Sequence, residues 1–369
     1  NSNIQPYYWE EDERIDIPFI MTVDTSIYKS VSKNPNQGSY TYANVQNPQK
    51  TSFSNQNSIN PSTISINNSN SYASKPSISL TSQTTGDTKF QIKTQSDTGE
   101  NYDYSYNVDW GDGNTDTDVS GDITHTYNTP GTYDIKIGGK FPALFYREMG
   151  DDGAKIVDLK QWGDVEWQSM EKMFYSADEM QGSFTDKPDL SQVTNMSDMF
   201  ARTNNFNQNI GDWDVSSVEN MDSMFDGADA FNQDIGDWDV SSVITMDSMF
   251  WGASNFNQDL GNWNVSSVEN MGSMFESAES FNQDIGNWDV SNVTDMRTMF
   301  YNADAFNQDI GDWNVSNVTR MDGMFSNTAS FNQDIGDWDV SNVEYMNSMF
   351  RYTESFNQDI GNWDVNNVS

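Results

Sequence analysis

Apolar residues recur along this chain with one fixed period. Met-x-x-Met-Phe is written seven times between Met196 and Phe350 at a spacing of 25 residues, and a tryptophan recurs at the same spacing from Trp213 to Trp363. A constant period of this size is the signature of a solenoid, in which each copy is one supersecondary unit stacked on the next. In the copy that starts at Phe206, Trp213 and Val215 alternate with Asp212, Asp214 and Ser216, which predicts a short strand with one buried face. Val218, Met221, Phe225 and Ala228 then fall at i, i+3, i+7 and i+10, one face of a helix, with Ser216 or Ser217 placed to cap its first turn. Each coil is therefore expected to be strand, turn, short helix and loop.

Gly211 and its equivalents, among them Gly236, Gly261 and Gly286, precede every expected strand, where a turn needing positive φ selects glycine. On that reading Gly286→Val damages the stack. The repeated Asn-Gln pairs (Asn232-Gln233, Asn257-Gln258, Asn282-Gln283) read as a ladder of amides that hydrogen-bond between coils about 4.8 Å apart, against the alternative of a repeated ligand contact. The methionine and aromatic columns read as core.

The N-terminal pattern is different. Ile15, Ile17, Phe19, Met21 and Val23 occupy alternate positions and predict a strand, which Pro18, lacking an N–H, moves to a sheet edge. This strand either completes its own sandwich or is donated to a neighbouring subunit, and repeated head-to-tail donation builds a filament. Removing residues 1–30 is expected to leave a folded monomer that no longer polymerises. From Asn34 to Ser77 the chain is dominated by Asn, Ser, Gln and Thr, the composition of a linker. Alternation in Lys89–Ile92 and Tyr102–Trp110, a turn at Gly111–Asn114 and a closing strand at Thr132–Ile137 predict a small antiparallel β-sandwich.

Val108-Asp109-Trp110-Gly111-Asp112-Gly113, then His125-Thr126-Tyr127, then Pro130-Gly131-Thr132-Tyr133, resembles the polycystic-kidney-disease (PKD) type of immunoglobulin-like domain over residues 78–140. The 25-residue units, led in by Trp162-Gly163-Asp164-Val165 and Met170-Glu171-Lys172-Met173-Phe174, resemble the BspA-type leucine-rich-repeat surface proteins of bacteria over 141–369. The resemblance implies a bacterial, extracellular or surface-exposed protein in which the repeats serve adhesion and the sandwich serves as spacer or interaction module. It implies no catalytic residue.

Charge narrows the partners. Fifty-six acidic residues against 18 basic give a net charge of −38, which disfavours nucleic acid and anionic membrane. No run of 18 apolar residues occurs, so no membrane-spanning segment is expected. Without cysteine there is no disulfide, thiolate metal site or cysteine nucleophile. His125, the sole histidine, is expected to pack beside Tyr127, and no catalytic motif appears, so no enzymatic activity is expected. Asp234, Asp259, Asp284, Asp309, Asp334 and Asp359 form one acidic column, and Asp214, Asp239, Asp289, Asp339 and Asp364 part of another. Neighbours about 5 Å apart repel by about 0.8 kcal/mol in water. The columns therefore point outward, cap backbone donors or are bridged by Ca²⁺, for which Asp109 and Asp112 form a further candidate. Glycosylation candidates are Asn67, Asn195, Asn264, Asn292, Asn314, Asn317 and Asn367 by the Asn-x-Ser/Thr pattern, and Ser223 and Ser248 by an Asp-Ser-Met pattern.

The expected architecture is β-rich and modular: an N-terminal strand segment (1–33), an Asn/Ser-rich linker (34–77), a PKD-like antiparallel β-sandwich (78–140), a solenoid cap (141–187) and a leucine-rich-repeat-like β/α solenoid (188–369) with one short strand and one short helix per coil. The chain stops midway through a repeat at Ser369 and is expected to continue. The expected function is a non-enzymatic extracellular structural protein for adhesion or self-assembly, partnered by itself or by surface glycans and proteins. Its rival is a calcium-dependent glycan-binding module using the tryptophan column as platform.

Overall fold

The computed structural model describes residues 18–24, 88–95, 99, 101–146 and 152–369. The described residues form eight strands, of which β2 and β3 show the alternation of buried and outward positions most plainly: β1 (Phe19–Asp24), β2 (Lys89–Ile92), β3 (Ser105–Asp109), β4 (Thr115–Val119), β5 (Ile123–Thr126), β6 (Thr132–Lys140), β7 (Ile156–Gln161) and β8 (Gln181–Gly182). β2 pairs with β5, and the other six form one sheet in the order β4-β3-β6-β1-β7-β8. That sheet does not stop where the sandwich sequence ends. β1 runs antiparallel to β6 on one side and to β7, the first strand of the repeat region, on the other.

Here the edge position expected from Pro18 is corrected. β1 is a central strand beginning just after Pro18, so the missing N–H lies outside the ladder, and the Pro18 carbonyl accepts from Gln161 Nε2 at 2.9 Å. Phe19, Met21 and Val23 are fully buried, with Phe19 packed edge-on to Trp167 at 5.1 Å. Ile15 and Ile17 lie outside the described residues.

The β/α coil is also corrected. Among the described residues there is no α-helix, only a 3₁₀ turn at Asp152–Lys155, and each 25-residue coil is a chain of turns touching its neighbours through single parallel bridges such as Asn220↔Thr245↔Asn270. Val218, Met221, Phe225 and Ala228 are all buried, so the inward face stands but the element does not. The reason is where the backbone N–H groups go. Those of Met221, Ser223, Phe225 and Gly227 donate to Thr245, Asp247, Met249 and Trp251 of the next coil at 2.6–3.1 Å, while those of Met224, Asp226 and Ala228 reach back three residues to Met221, Ser223 and Phe225. A helix would spend every N–H inside its own coil and leave none for stacking. The alternation needs two left-handed residues per coil, at Ser223 and Gly227 in this one (φ 55° and 63°). The expected strand at Trp213 and Val215 likewise forms no ladder, although both side chains are buried.

Identical inward residues stack in columns. Phe225, Phe250 and Phe275 follow one another at 5.6 Å between ring centroids, and Trp288 and Trp313 lie parallel at 6.4 Å. From Trp238 to Trp363 each indole N–H of the column is satisfied by the preceding coil, as where Trp288 Nε1 donates to the Leu260 carbonyl at 3.0 Å, whereas that of Trp213 at the head of the column is buried without a partner.

Candidate functional site

Two places have the geometry to act on another molecule: the seam that β1 makes between sandwich and solenoid, and the outward edge of the coils. At the seam, the face of β1 opposite Phe19 and Met21 carries Thr22, whose hydroxyl donates to Asp134 Oδ1 of β6 at 2.9 Å. Lys160 of β7 donates to both oxygens of Asp134 at 3.0 Å, and the pair is nearly solvent-free, with side-chain exposures of 4% and 8%. Burial holds Lys160 below the usual lysine range against the pull of Asp134, and burial raises the nearby Asp158 carboxyl despite a hydrogen bond from Ser183. Three strands from distant parts of the chain are thereby locked in register by one buried ion pair. Lys160→Met is expected to lower stability by about 3–5 kcal/mol by stranding the Asp134 charge, and adding Asp134→Asn should recover much of that loss in denaturant melts.

On the coils, the amide pairs form a ladder. Asn232 Oδ1 accepts from the backbone N–H of Asn257 at 3.0 Å and from Gln258 Nε2 at 2.8 Å, and the pattern repeats up to Gln358. The acidic columns cap turns. Asp234, Asp284, Asp309 and Asp334 each accept from the N–H of the glycine two residues on at 3.0–3.1 Å. In the second column Asp214, Asp239, Asp289 and Asp339 accept from the following serine, whose hydroxyl and N–H hold these carboxyls below the usual range. Asn264 and Asn314 take the same role with Ser266 and Ser316. Among the described residues no group of three or more His, Asp or Glu side chains is arranged to hold a metal ion.

The remaining sequence candidates are absorbed in a similar way. Asp109 accepts from the Gly111 N–H at 3.0 Å, and Asp112 pairs with His125 Nε2 at 2.9 Å. Burial would raise the Asp112 carboxyl, but hydrogen bonds from His125 and Asn114 outweigh it and hold it low. His125 itself stacks on Trp110 and meets Tyr127 edge-on at 4.6 Å. Asn292, Asn317 and Asn367 donate their side-chain nitrogens to carbonyls of the preceding coil at 2.7 Å, and Asn195 accepts from the Ser197 N–H. Ser223 and Ser248 hold left-handed ladder positions, and Asn67 lies outside the described residues.

What sequence reading missed is Asp226. It faces Arg202 at 4.0 Å with only 13% of its side chain exposed, and burial, against the attraction of Arg202, pushes its carboxyl up to about 7. The unfolded group ionises near pH 4, so between about pH 4 and 7 the folded state binds more protons and stability falls as pH rises. Asp226→Asn is therefore expected to match the parent below pH 4 and to exceed its stability above pH 7 by up to about 4 kcal/mol, read from melts across pH.

Two families match this chain. A Mycoplasma protein family of unknown function, DUF285, matches over 168–288 and again over 272–369, together more than half of the 369 residues. The chain belongs to the DUF285 family. This match does not confirm the leucine-rich-repeat resemblance, in keeping with helix-free coils. Residues 71–141 match the PKD domain, which contains the β2 to β6 strands and their Trp110, His125 and Tyr127 cluster. No curated protein and no solved structure matches. No helix of the described residues is long and apolar enough to cross a membrane.

Proposed function

We propose that this DUF285 protein is a non-enzymatic structural component of a bacterial cell surface, whose array of coils serves adhesion or self-assembly and whose β1 strand can be exchanged between copies. The observation that carries the reading is β1 itself: a strand separated from its sheet by more than sixty residues of chain, yet buried between β6 and β7. A strand joined to its sheet by a connection of that length can occupy the same slot of another copy with no change in contacts, and head-to-tail exchange propagates. Extracellular placement is supported by the pairing of a PKD domain with DUF285 repeats. The tryptophan column is buried, with each ring from Trp213 to Trp338 at most 4% exposed, so it offers no platform to a sugar.

The test uses a chain that has no native cysteine. Ile20 and Lys136 face each other across β1 and β6, and Ile20→Cys with Lys136→Cys, once oxidised, locks β1 into its own sheet. Electron microscopy of the parent is expected to show end-to-end assemblies at high concentration that the locked protein lacks. Assemblies that persist in the locked protein would remove strand exchange and leave the outward coil surface as the contact.

A further inference from the structure

The coils are near copies, so an outward position where one coil departs from its sisters carries information that the stack itself does not require. Two such departures fall in one coil. Along its outward edge Ile244 stands where the neighbouring coils carry Glu219, Glu269 and Thr294, and Trp251 stands where they carry Asp226, Glu276 and Tyr301. Both are exposed, at 42% and 39%, while Val243, Met246, Met249 and Phe250 of the same stretch point inward and are fully buried.

Backbone register surrounds these two side chains with carboxylates. The Ile244 N–H donates to the Glu219 carbonyl and the Glu269 N–H to the Ile244 carbonyl, both at 2.8 Å, so Ile244 sits between two glutamates. Gly227 donates to the Trp251 carbonyl and Gly252 to that of Glu276, which places Trp251 between Asp226 and Glu276. The nearby Asp222 and Asp247 are already engaged, the first by the Thr245 hydroxyl and Asp247 N–H, the second by Arg297 reaching across Gly272. The result is an apolar pair inside an acidic rim, on an array that has no lysine from Pro188 onward.

Such a surface is complementary to a segment that brings ammonium groups beside apolar side chains, since a cation gains from both the indole face and the flanking carboxylates. The same chain contains one. Residues 25–86 carry Lys29, Lys33, Lys50 and Lys75 and not one Asp or Glu, in a protein of net charge −38, and Ile27, Tyr28 and Val31 stand next to the first two lysines. We propose that the outward patch of Ile244 and Trp251 is the docking surface for this lysine-bearing segment, with Lys29 and Lys33 meeting Glu219, Glu269 and Glu276. Lys29 and Lys33 follow the end of β1 at Asp24 by five and nine residues, so at about 3.3 Å per extended residue their backbones can reach about 16 and 30 Å from it.

Zero-length carbodiimide coupling of the full chain, which joins amines to carboxylates in contact, tests this by mass spectrometry. Cross-links from Lys29 and Lys33 are expected to concentrate on Glu219, Glu269 and Glu276 and to fade as salt is raised. Ile244→Thr with Trp251→Ser, substitutions that use residues the sister coils already carry at Thr294 and Ser326, should lower those cross-links about tenfold, the factor that corresponds to roughly 1.4 kcal/mol of lost contact, while the melting curve stays unchanged. Cross-links spread evenly over the acidic columns, or undiminished in the double variant, would overturn the assignment, as would their absence.

Discussion

A chain lacking residues 1–24 is expected to lose the sandwich and the first coils while the middle of the array stays folded. Sequence reading foresees a folded monomer after removal of residues 1–30, because it treats the strand as one that assembles copies; the structure puts β1 between two partners of its own chain. Removing it withdraws three fully buried side chains, Phe19, Met21 and Val23, each worth about 1.5–3 kcal/mol of burial. It also strips the hydrogen-bond partners of β6 and β7 and uncovers the Asp134–Lys160 pair. The sum is comparable to the whole stability of a typical domain, about 5–15 kcal/mol. Coils further along contact chiefly their neighbours, with Arg297 and Asp247 pairing across one intervening coil, so the damage should not travel far. Hydrogen exchange would show fast amides over 101–182 and slow ones over 220–330. A synthetic peptide of residues 15–26 added in trans should restore protection, because the slot recognises a strand by backbone pairing and buried side chains. A truncated chain that keeps its protection without peptide would mean that β6 and β7 do not depend on β1.

Gly286→Val should sever the array at one coil boundary. A Cβ on Gly286 would stand 2.5 Å from the Asp309 carbonyl oxygen of the next coil, closer than a carbon approaches an oxygen without displacing it, and that oxygen belongs to backbone. A Cβ on Gly236, Gly261, Gly311 or Gly336 would likewise stand 2.6–3.0 Å from the equivalent carbonyl oxygen. Relief requires two coils to part, at a cost of about 3 kcal/mol or more, since overpacking here also breaks part of the ladder. Two unfolding transitions should replace one, with amides beyond 309 exchanging first. The choice of substitute identifies the cause. Gly286 has no left-handed φ, so Gly286→Ala and Gly286→Asn should fail nearly as badly as valine, whereas a turn selected for positive φ would accept asparagine.

The glycine columns show how far local reasoning reached. Sequence reading assigned conformational freedom to the column of Gly211, where the structure shows close approach. The left-handed residues occupy two other columns, that of Ser223, Ser248 and Ser273 and that of Gly227 and Gly252, and Ser277, Asn302 and Asn327 share the second. Nothing in the pattern marked those columns, because serine and asparagine read as polar surface. The spacing of Val218, Met221, Phe225 and Ala228 fitted a helix since i, i+3 and i+7 describe any path that returns to one side at that interval, and a turn path whose N–H groups alternate between inward and onward partners does so too. The candidate patch was likewise out of reach. Ile244 and Trp251 are readable as departures from the repeat, but their exposure and the carboxylates around them follow from the register between coils.

By itself, then, the sequence determined the period, the inward methionine and aromatic columns, the amide ladder, the packed histidine and the existence of a sandwich before the repeats. These follow from hydrophobic spacing and from identical residues being forced to stack on their own kind. Tertiary structure decided the rest: that the coils are turns and not strand plus helix, that β1 is central, and that Asp226, Arg297 and Asp134 meet the partners they do. Each of those depends on which backbone and side-chain groups are opposite one another across 25 residues or more than a hundred, and a linear pattern carries no record of what lies opposite.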